Sequence, residues 1–228
     1  ESKRMPDTFK WDEDPLPQKK EVIEKNFTDM EGHWAKSTVE ALTGDGIISG
    51  VSENEFAPSS DITRAEFITL LTNSFKLRED NASCSFTDVE KDKWYYTSIT
   101  IAQKLGMIPE EMIKDNKFDP NRSITRGEAS AVLVRYAQAA GNPEEEYTVD
   151  FEDKNSFGEY ADAIEKAAAY GLINGYDDGT FKSSNTILRA EAAEMIKNAI
   201  ELGGRRYFYV DYTNGNDKNE GTLSSPYK

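Results

Sequence analysis

One cysteine and one histidine in 228 residues remove whole classes of chemistry from consideration. A lone Cys84 excludes an internal disulfide framework and a cysteine-built zinc site. With His33 as the only imidazole, a Ser-His-Asp triad would have to use it, and an HExxH metal site cannot be built. His33 stands beside Trp34 near an expected helix start and reads as a solvated helix-start residue. No run of about 18 apolar residues occurs, so no membrane insertion by a helix is expected. Basic residues are scarce too: 27 Lys and Arg stand against 42 Asp and Glu, a formal charge of −15. Nucleic-acid binders take most of their affinity from neutralising phosphates, so this balance argues against DNA or RNA, and against anionic membrane surfaces.

What the chain does have is repetition. Ile62-Thr63-Arg64-Ala65-Glu66 returns as Ile124-Thr125-Arg126-Gly127-Glu128 and, altered, as Ile187-Leu188-Arg189-Ala190-Glu191. Other landmarks keep step. Phe27-Thr28-Asp29 recurs as Phe86-Thr87-Asp88 and Phe151-Glu152-Asp153, and a Gly-hydrophobic pair recurs as Gly46-Ile47, Gly106-Met107 and Gly171-Leu172. Phe56, Phe118 and Phe181 each precede their arginine by eight residues. Three units follow, at 27–80, 81–145 and 146–204, between a Pro-containing linker at 1–26 and a tail at 205–228.

Each unit reads as helix, loop, helix. The first helix of the first unit runs from about Trp34 to Thr43, with Trp34, Val39 and Leu42 apolar and Gly44 and Gly46 stopping it. Its equivalents start near Trp94 and Tyr160. In the third loop Asp177-Asp178-Gly179 signals a tight turn, after which Thr180-Phe181 could be a short extended piece. Pro109–Ile113 remodels the loop of the second unit.

The second helices carry apolar stripes at Phe67, Leu70, Leu71 and Phe75, at Ala129, Val132, Leu133 and Tyr136, and at Ala192, Met195, Ile196 and Ala199. Three homologous stripes can close on one another. The expected fold is therefore mainly α: three helix-loop-helix repeats in a pseudo-threefold arrangement around a central three-helix core, with short extended segments in loops. A monomer with internal symmetry is the expected state.

Thr followed three residues later by Glu is a capping box, so Thr63 with Glu66 and Thr125 with Glu128 each mark a helix start. Leu188 breaks the box in the third repeat. Arg64, Arg126 and Arg189 then occupy the first helical position, where the dipole disfavours a cation by a few tenths to about 1 kcal/mol. A guanidinium beside free backbone amides makes a receptor for a carboxylate or phosphate. An ion pair with a neighbouring repeat's carboxylate would equally explain it, and both readings stay open. Trp34 and Trp94, at matched positions in two repeats, are either core anchors or flat faces for sugar rings.

Two rival functions follow from the acidity. Asp153–Gly158 begins like a calcium-binding EF-hand loop and would suit a calcium-dependent docking module, but Phe157 and Ile164 stand where ligands are required; no metal or cofactor is expected. Paired carboxylates could serve a polysaccharide-degrading enzyme. A threefold design suits avidity from several similar sites better than one asymmetric catalytic cleft.

Taken in order, Phe-Thr-Asp, Trp, Gly-Ile-Ile-Ser-Gly, Phe-x-Pro and Ile-Thr-Arg-Ala-Glu make residues 27–77 resemble an S-layer homology (SLH) repeat, and 86–140 and 151–202 resemble its second and third members. The resemblance implies a non-catalytic, extracellular module of a Gram-positive-type bacterium. Such a module anchors a surface protein to secondary cell-wall polysaccharide, commonly through pyruvylated N-acetylmannosamine. It further implies that Arg64 and Arg126 hold the pyruvyl carboxylate with amides near Thr63 and Thr125; because Leu188 removes its cap, the Arg189 site is expected to be the least secure. Trp34 and Trp94 would shape the sugar site, and Gly50 would let backbone approach the ligand. Ser183 replaces the Pro of Pro58 and Pro120, and the third repeat has no Trp, so two competent grooves are expected. Residues 207–228 resemble the opening of a right-handed parallel β-helix, implying a further, polysaccharide-active domain downstream.

Overall fold

The computed structural model describes residues 26–75, 77, 83–139 and 149–204. The expected linker and the β-helix-like tail lie outside these residues. Six helices are described: α1 (Lys36–Gly44), α2 (Arg64–Ser74), α3 (Tyr96–Lys104), α4 (Arg126–Ala139), α5 (Ala161–Ala169) and α6 (Arg189–Gly204). Among the described residues there is no strand; extended pieces meet only as isolated bridges.

The Gly-hydrophobic pairs stop the first helices as their sequence predicts. Gly46, Gly106 and Gly171 take φ of 70°, 68° and 70°, which a side chain resists. The next amide then reaches back into the helix, Ile47 N to Leu42 O at 2.8 Å, Met107 N to Ala102 O at 2.9 Å and Leu172 N to Ala167 O at 2.9 Å. This αL closure satisfies carbonyls that the helix end would otherwise orphan.

The helix starts differ from expectation. Helices α1 and α3 begin two residues after their Trp, because the preceding chain forms a turn closed by His33 N to Met30 O and Tyr96 N to Lys93 O, both 3.0 Å. Trp34 and Trp94 are consequently carried outward, 62% and 63% exposed, while Val39 and Leu42 face the core. The core-anchor reading of the tryptophans is thereby corrected.

Packing is cyclic: α3 lies on α2, α5 on α4, and α1 on α6, while α6 also contacts α2 and α4. Each repeat thus lends its first helix to the second helix of the repeat before it. The isoleucines ahead of the arginines close a ring of backbone hydrogen bonds, Ile62 N to Ile187 O (3.1 Å), Ile187 N to Ile124 O (3.1 Å) and Ile124 N to Ile62 O (3.0 Å). All three side chains are buried. No single repeat can satisfy these amides alone, which ties the units into one core.

The Phe-Thr-Asp motifs turn out to be loop anchors. The Asp29 carboxylate accepts Phe56 N at 2.9 Å and Ala57 N at 2.7 Å; Asp88 accepts Phe118 N and Asp119 N, and Asp153 accepts Phe181 N and Lys182 N, all at 2.8–2.9 Å. The second amide in each pair belongs to a residue at positive φ, Ala57 (59°), Asp119 (53°) or Lys182 (59°). A charge-assisted pair of bonds holds a conformation that L-residues disfavour. Asp153 is thereby given a structural role in place of a calcium one.

Candidate functional site: two grooves between repeats

At the start of each second helix the first two amides are already satisfied. Arg64 N and Ala65 N donate to Arg122 O and Pro120 O, both 2.9 Å; Arg126 N and Gly127 N donate to Asn185 O (2.8 Å) and Ser183 O (2.9 Å). Arg189 N and Ala190 N donate to Ser60 O (2.8 Å) and Pro58 O (3.2 Å). The capping boxes form as expected, with Glu66 N to Thr63 Oγ1 and Glu128 N to Thr125 Oγ1 both at 3.2 Å. In the third repeat Glu191 still accepts Leu188 N at 2.8 Å, so half the box survives the lost hydroxyl. The expected anion receptor of first-turn amides at Thr63 and Thr125 is corrected: loop carbonyls of the following repeat occupy those amides.

Each arginine lies over the phenylalanine of the next repeat in the cycle and bonds to its carbonyl, yet their settings diverge. Arg64 is 2% exposed. Its Nε and Nη2 meet Glu128 at 3.3 and 2.6 Å, and Nη1 donates to Met112 O at 2.8 Å and to Phe118 O. Arg122 pairs with the same Glu128 carboxylate. The ion-pair reading therefore describes Arg64, and its expected contact with a ligand is corrected, since all three guanidinium nitrogens are engaged inside the protein. Tyr160 covers this region from the third repeat. Burial, and then the charges of Glu128 and Glu159, push its phenol up to about 12. A Cβ on Gly127 would come 2.5 Å from Ser183 Oγ and 3.0 Å from the Tyr160 ring, which explains Gly where the other repeats have Ala65 and Ala190.

Arg126 is 4% exposed and lines a cavity of about 500 Å³ with Trp34, Asn174, Gly175, Tyr176, Glu191 and Glu194. Its Nε bonds to Phe181 O (2.8 Å), Nη2 to Asn174 O (2.7 Å) and Nη1 to Glu191 Oε1 (3.1 Å). The guanidinium is sandwiched between Tyr176 and Phe181, 4.4 and 4.5 Å from the ring centroids, and Tyr176 also donates its hydroxyl to Glu191 at 3.1 Å.

Arg189 lines a second cavity of about 310 Å³ with Ser49, Phe56, Glu66, Asn73 and Trp94. It is half-buried, bonds to Phe56 O and Ser49 O at 2.9 Å each, and lies 4.8 Å over the Phe56 ring. Among the described residues no carboxylate lies within ion-pair distance of it. Burial accordingly holds its guanidinium below the usual value, opposed by the fields of Glu66 and Asp29.

The two cavities are equivalent under the repeat. Each takes its floor from one repeat's loop and second helix, its arginine from the repeat before and its tryptophan from the repeat after. Glu66 and Asn73 in one correspond to Glu191 and Asn198 in the other. Arg64, Thr63, Thr125 and Gly50 line neither cavity. Gly50 lacks a side chain because a Cβ there would strike the Phe27 ring and the carbonyl of Glu55; the same holds for Gly175 against Phe151, although Gly175 does line its cavity. Sequence reading missed the carboxylate partners, Glu128 and Glu191, because their capping role already accounted for them. Tyr176 carried no signal at all, being one aromatic in a turn.

The S-layer homology domain model matches residues 26–68, 85–130 and 150–193, the three repeats in turn. The chain belongs to that family. It is 31% identical to the Surface-layer 125 kDa protein of Lysinibacillus sphaericus over 77% of this chain and 15% of that protein. It is 29% identical to the Cellulosome-anchoring protein of Acetivibrio thermocellus, over 73% of this chain and 38% of that protein. With the Amylopullulanase of Thermoanaerobacterium thermosulfurigenes it shares 30% identity over 79% of this chain but 10% of that enzyme. The chain thus spans a small part of each of these relatives. An S-layer homology module is an anchoring element that accompanies surface proteins and enzymes alike, and its membership supports a cell-surface location. Among the described residues no helix is long and apolar enough to cross a membrane.

Proposed function

We propose that this chain is a non-catalytic anchor that binds secondary cell-wall polysaccharide in the Arg189 and Arg126 grooves, with pyruvylated N-acetylmannosamine as the unit recognised. The observation that carries the reading is Arg189: a half-buried guanidinium without a carboxylate partner among the described residues, facing a cavity edged by the exposed Trp94. A buried cation without compensation is costly, and a ligand carboxylate would supply the missing charge with paired, charge-assisted hydrogen bonds. An indole face beside it suits the C–H side of a sugar ring. Relatives with surface-layer and cellulosome-anchoring names favour the same role.

Titration calorimetry with purified wall polymer, before and after chemical removal of its pyruvyl groups, tests the reading. Binding that is sharply weakened with the loss of the pyruvyl groups is the expected result. Equal binding of both preparations would move recognition from the carboxylate to the sugars, and no binding of either would remove the wall polymer as ligand.

A further inference from the structure

The two grooves share a plan but not an electrostatic state. In the Arg189 groove the position after Gly50 is Val51, whose side chain cannot donate a hydrogen bond, and the guanidinium has one aromatic ring against it among the described residues. Glu66 is turned to its own helix start, accepting Thr63 N at 2.8 Å and the Thr63 hydroxyl at 3.1 Å. In the Arg126 groove the position after Gly175 is Tyr176. One oxygen of Glu191 caps the Leu188 amide and the other bridges Arg126 Nη1 and the Tyr176 hydroxyl. Glu191, oriented by the Tyr176 hydroxyl, neutralises the second arginine.

A carboxylate entering the Arg126 groove would find its cation paired, ring-sandwiched and 4% exposed, with Glu191 and Glu194 on the same wall. Displacing Glu191 would strand a charge, and leaving it would set two carboxylates side by side. An uncharged ring meets neither difficulty, and the larger volume, the exposed Trp34 and the Asn198 amide suit it.

Building on the anchoring function above, we propose that the two grooves read different units of one polymer: the Arg189 groove takes the carboxylate-bearing sugar and the Arg126 groove takes a sugar ring without charge. Glu191 and Tyr176 are the residues that set this difference. The chain would then recognise a sequence of units along the polymer, rather than the same unit twice.

Trp34 and Trp94 report on the two grooves separately, so indole NMR can follow them in one sample, with Trp34→Phe and Trp94→Phe assigning the signals. The full chain is titrated with the methyl glycoside of pyruvylated N-acetylmannosamine and with its carboxyl methyl ester. Esterification should weaken binding seen at Trp94 by about tenfold or more, since it removes a charge-assisted contact. Binding seen at Trp34 should be no weaker for the ester than for the free carboxylate. In Tyr176→Val combined with Glu191→Gln, the Trp34 signal should become sensitive to esterification. A wild-type Trp34 response that falls with esterification as Trp94 does would overturn the proposal and leave the anchoring function standing, as would a Trp34 signal that moves with neither compound. Silence of both indoles towards both compounds and towards intact polymer would overturn the two together.

Discussion

Arg64 and Glu128, from adjacent repeats, meet as a buried ion pair with Nη2 2.6 Å from Oε1 and side chains 3% and 4% exposed. The cation sits at the helix position where the dipole opposes it, and the neighbouring repeat's carboxylate answers both the dipole and the burial. Removing Arg64 leaves the buried Glu128 with Arg122 as its remaining guanidinium partner, and removing Glu128 leaves Arg64 charged and desolvated. Arg64→Ala should therefore lower stability by about 3–5 kcal/mol, measured by urea unfolding, while wall binding by the folded fraction persists. Arg64→Met with Glu128→Gln should recover part of that loss. A fully stable Arg64→Ala that no longer binds polymer would return Arg64 to the ligand site.

Arg189→Ala should behave in the opposite way. It gives up two hydrogen bonds to carbonyls and no ion pair, so the expected cost in stability is about 1–2 kcal/mol. Calorimetry with pyruvylated polymer should show affinity reduced by about tenfold or more. Unchanged affinity would remove the Arg189 groove as the carboxylate site.

Acid should loosen the loop that Asp29 anchors. Partial burial pushes the Asp29 carboxyl up, but the amides of Phe56 and Ala57 outweigh it and hold the group below its ordinary 3.8. Because the folded value is the lower one, the unfolded chain takes up the proton first as pH drops. The contribution is complete above the unfolded value and is lost as pH falls through the folded one. Urea midpoints of Asp29→Asn should rise less steeply than those of the parent protein between about pH 2 and 5, and should lie below them at neutral pH.

Ala57 holds φ at 59° beneath that same carboxylate. Glycine carries no Cβ to object to this conformation, so Ala57→Gly should raise stability by about 1 kcal/mol in spite of its greater unfolded-state freedom. Thermal unfolding checks it, and a loss of stability would mean that the Ala57 methyl contributes packing the backbone argument overlooks.

The repeats, the six helices, their stops and the capping boxes were legible in the sequence because each depends on residues a few positions apart. Gly46, Gly106 and Gly171 act on their own helix, and Thr63 acts on an amide three residues on. The apolar stripes likewise identified the buried faces, since helical period is a local property. Trp34 and Trp94 were legible as special but not as exposed: a single turn ahead of each helix, rather than its first coil, decides where the indole goes.

The fate of the three arginines was not legible, although they share one motif. Their partners come from other repeats: Glu128 for Arg64, Glu191 for Arg126, and Ser49 and Phe56 carbonyls for Arg189. Sequence alone determined that there are three homologous units with a cation at each second helix start. Tertiary structure decided which cation is sealed, which is neutralised and which is left without an ion-pair partner among the described residues, because a charge's burial and pairing depend on the whole cycle of repeats closing around it.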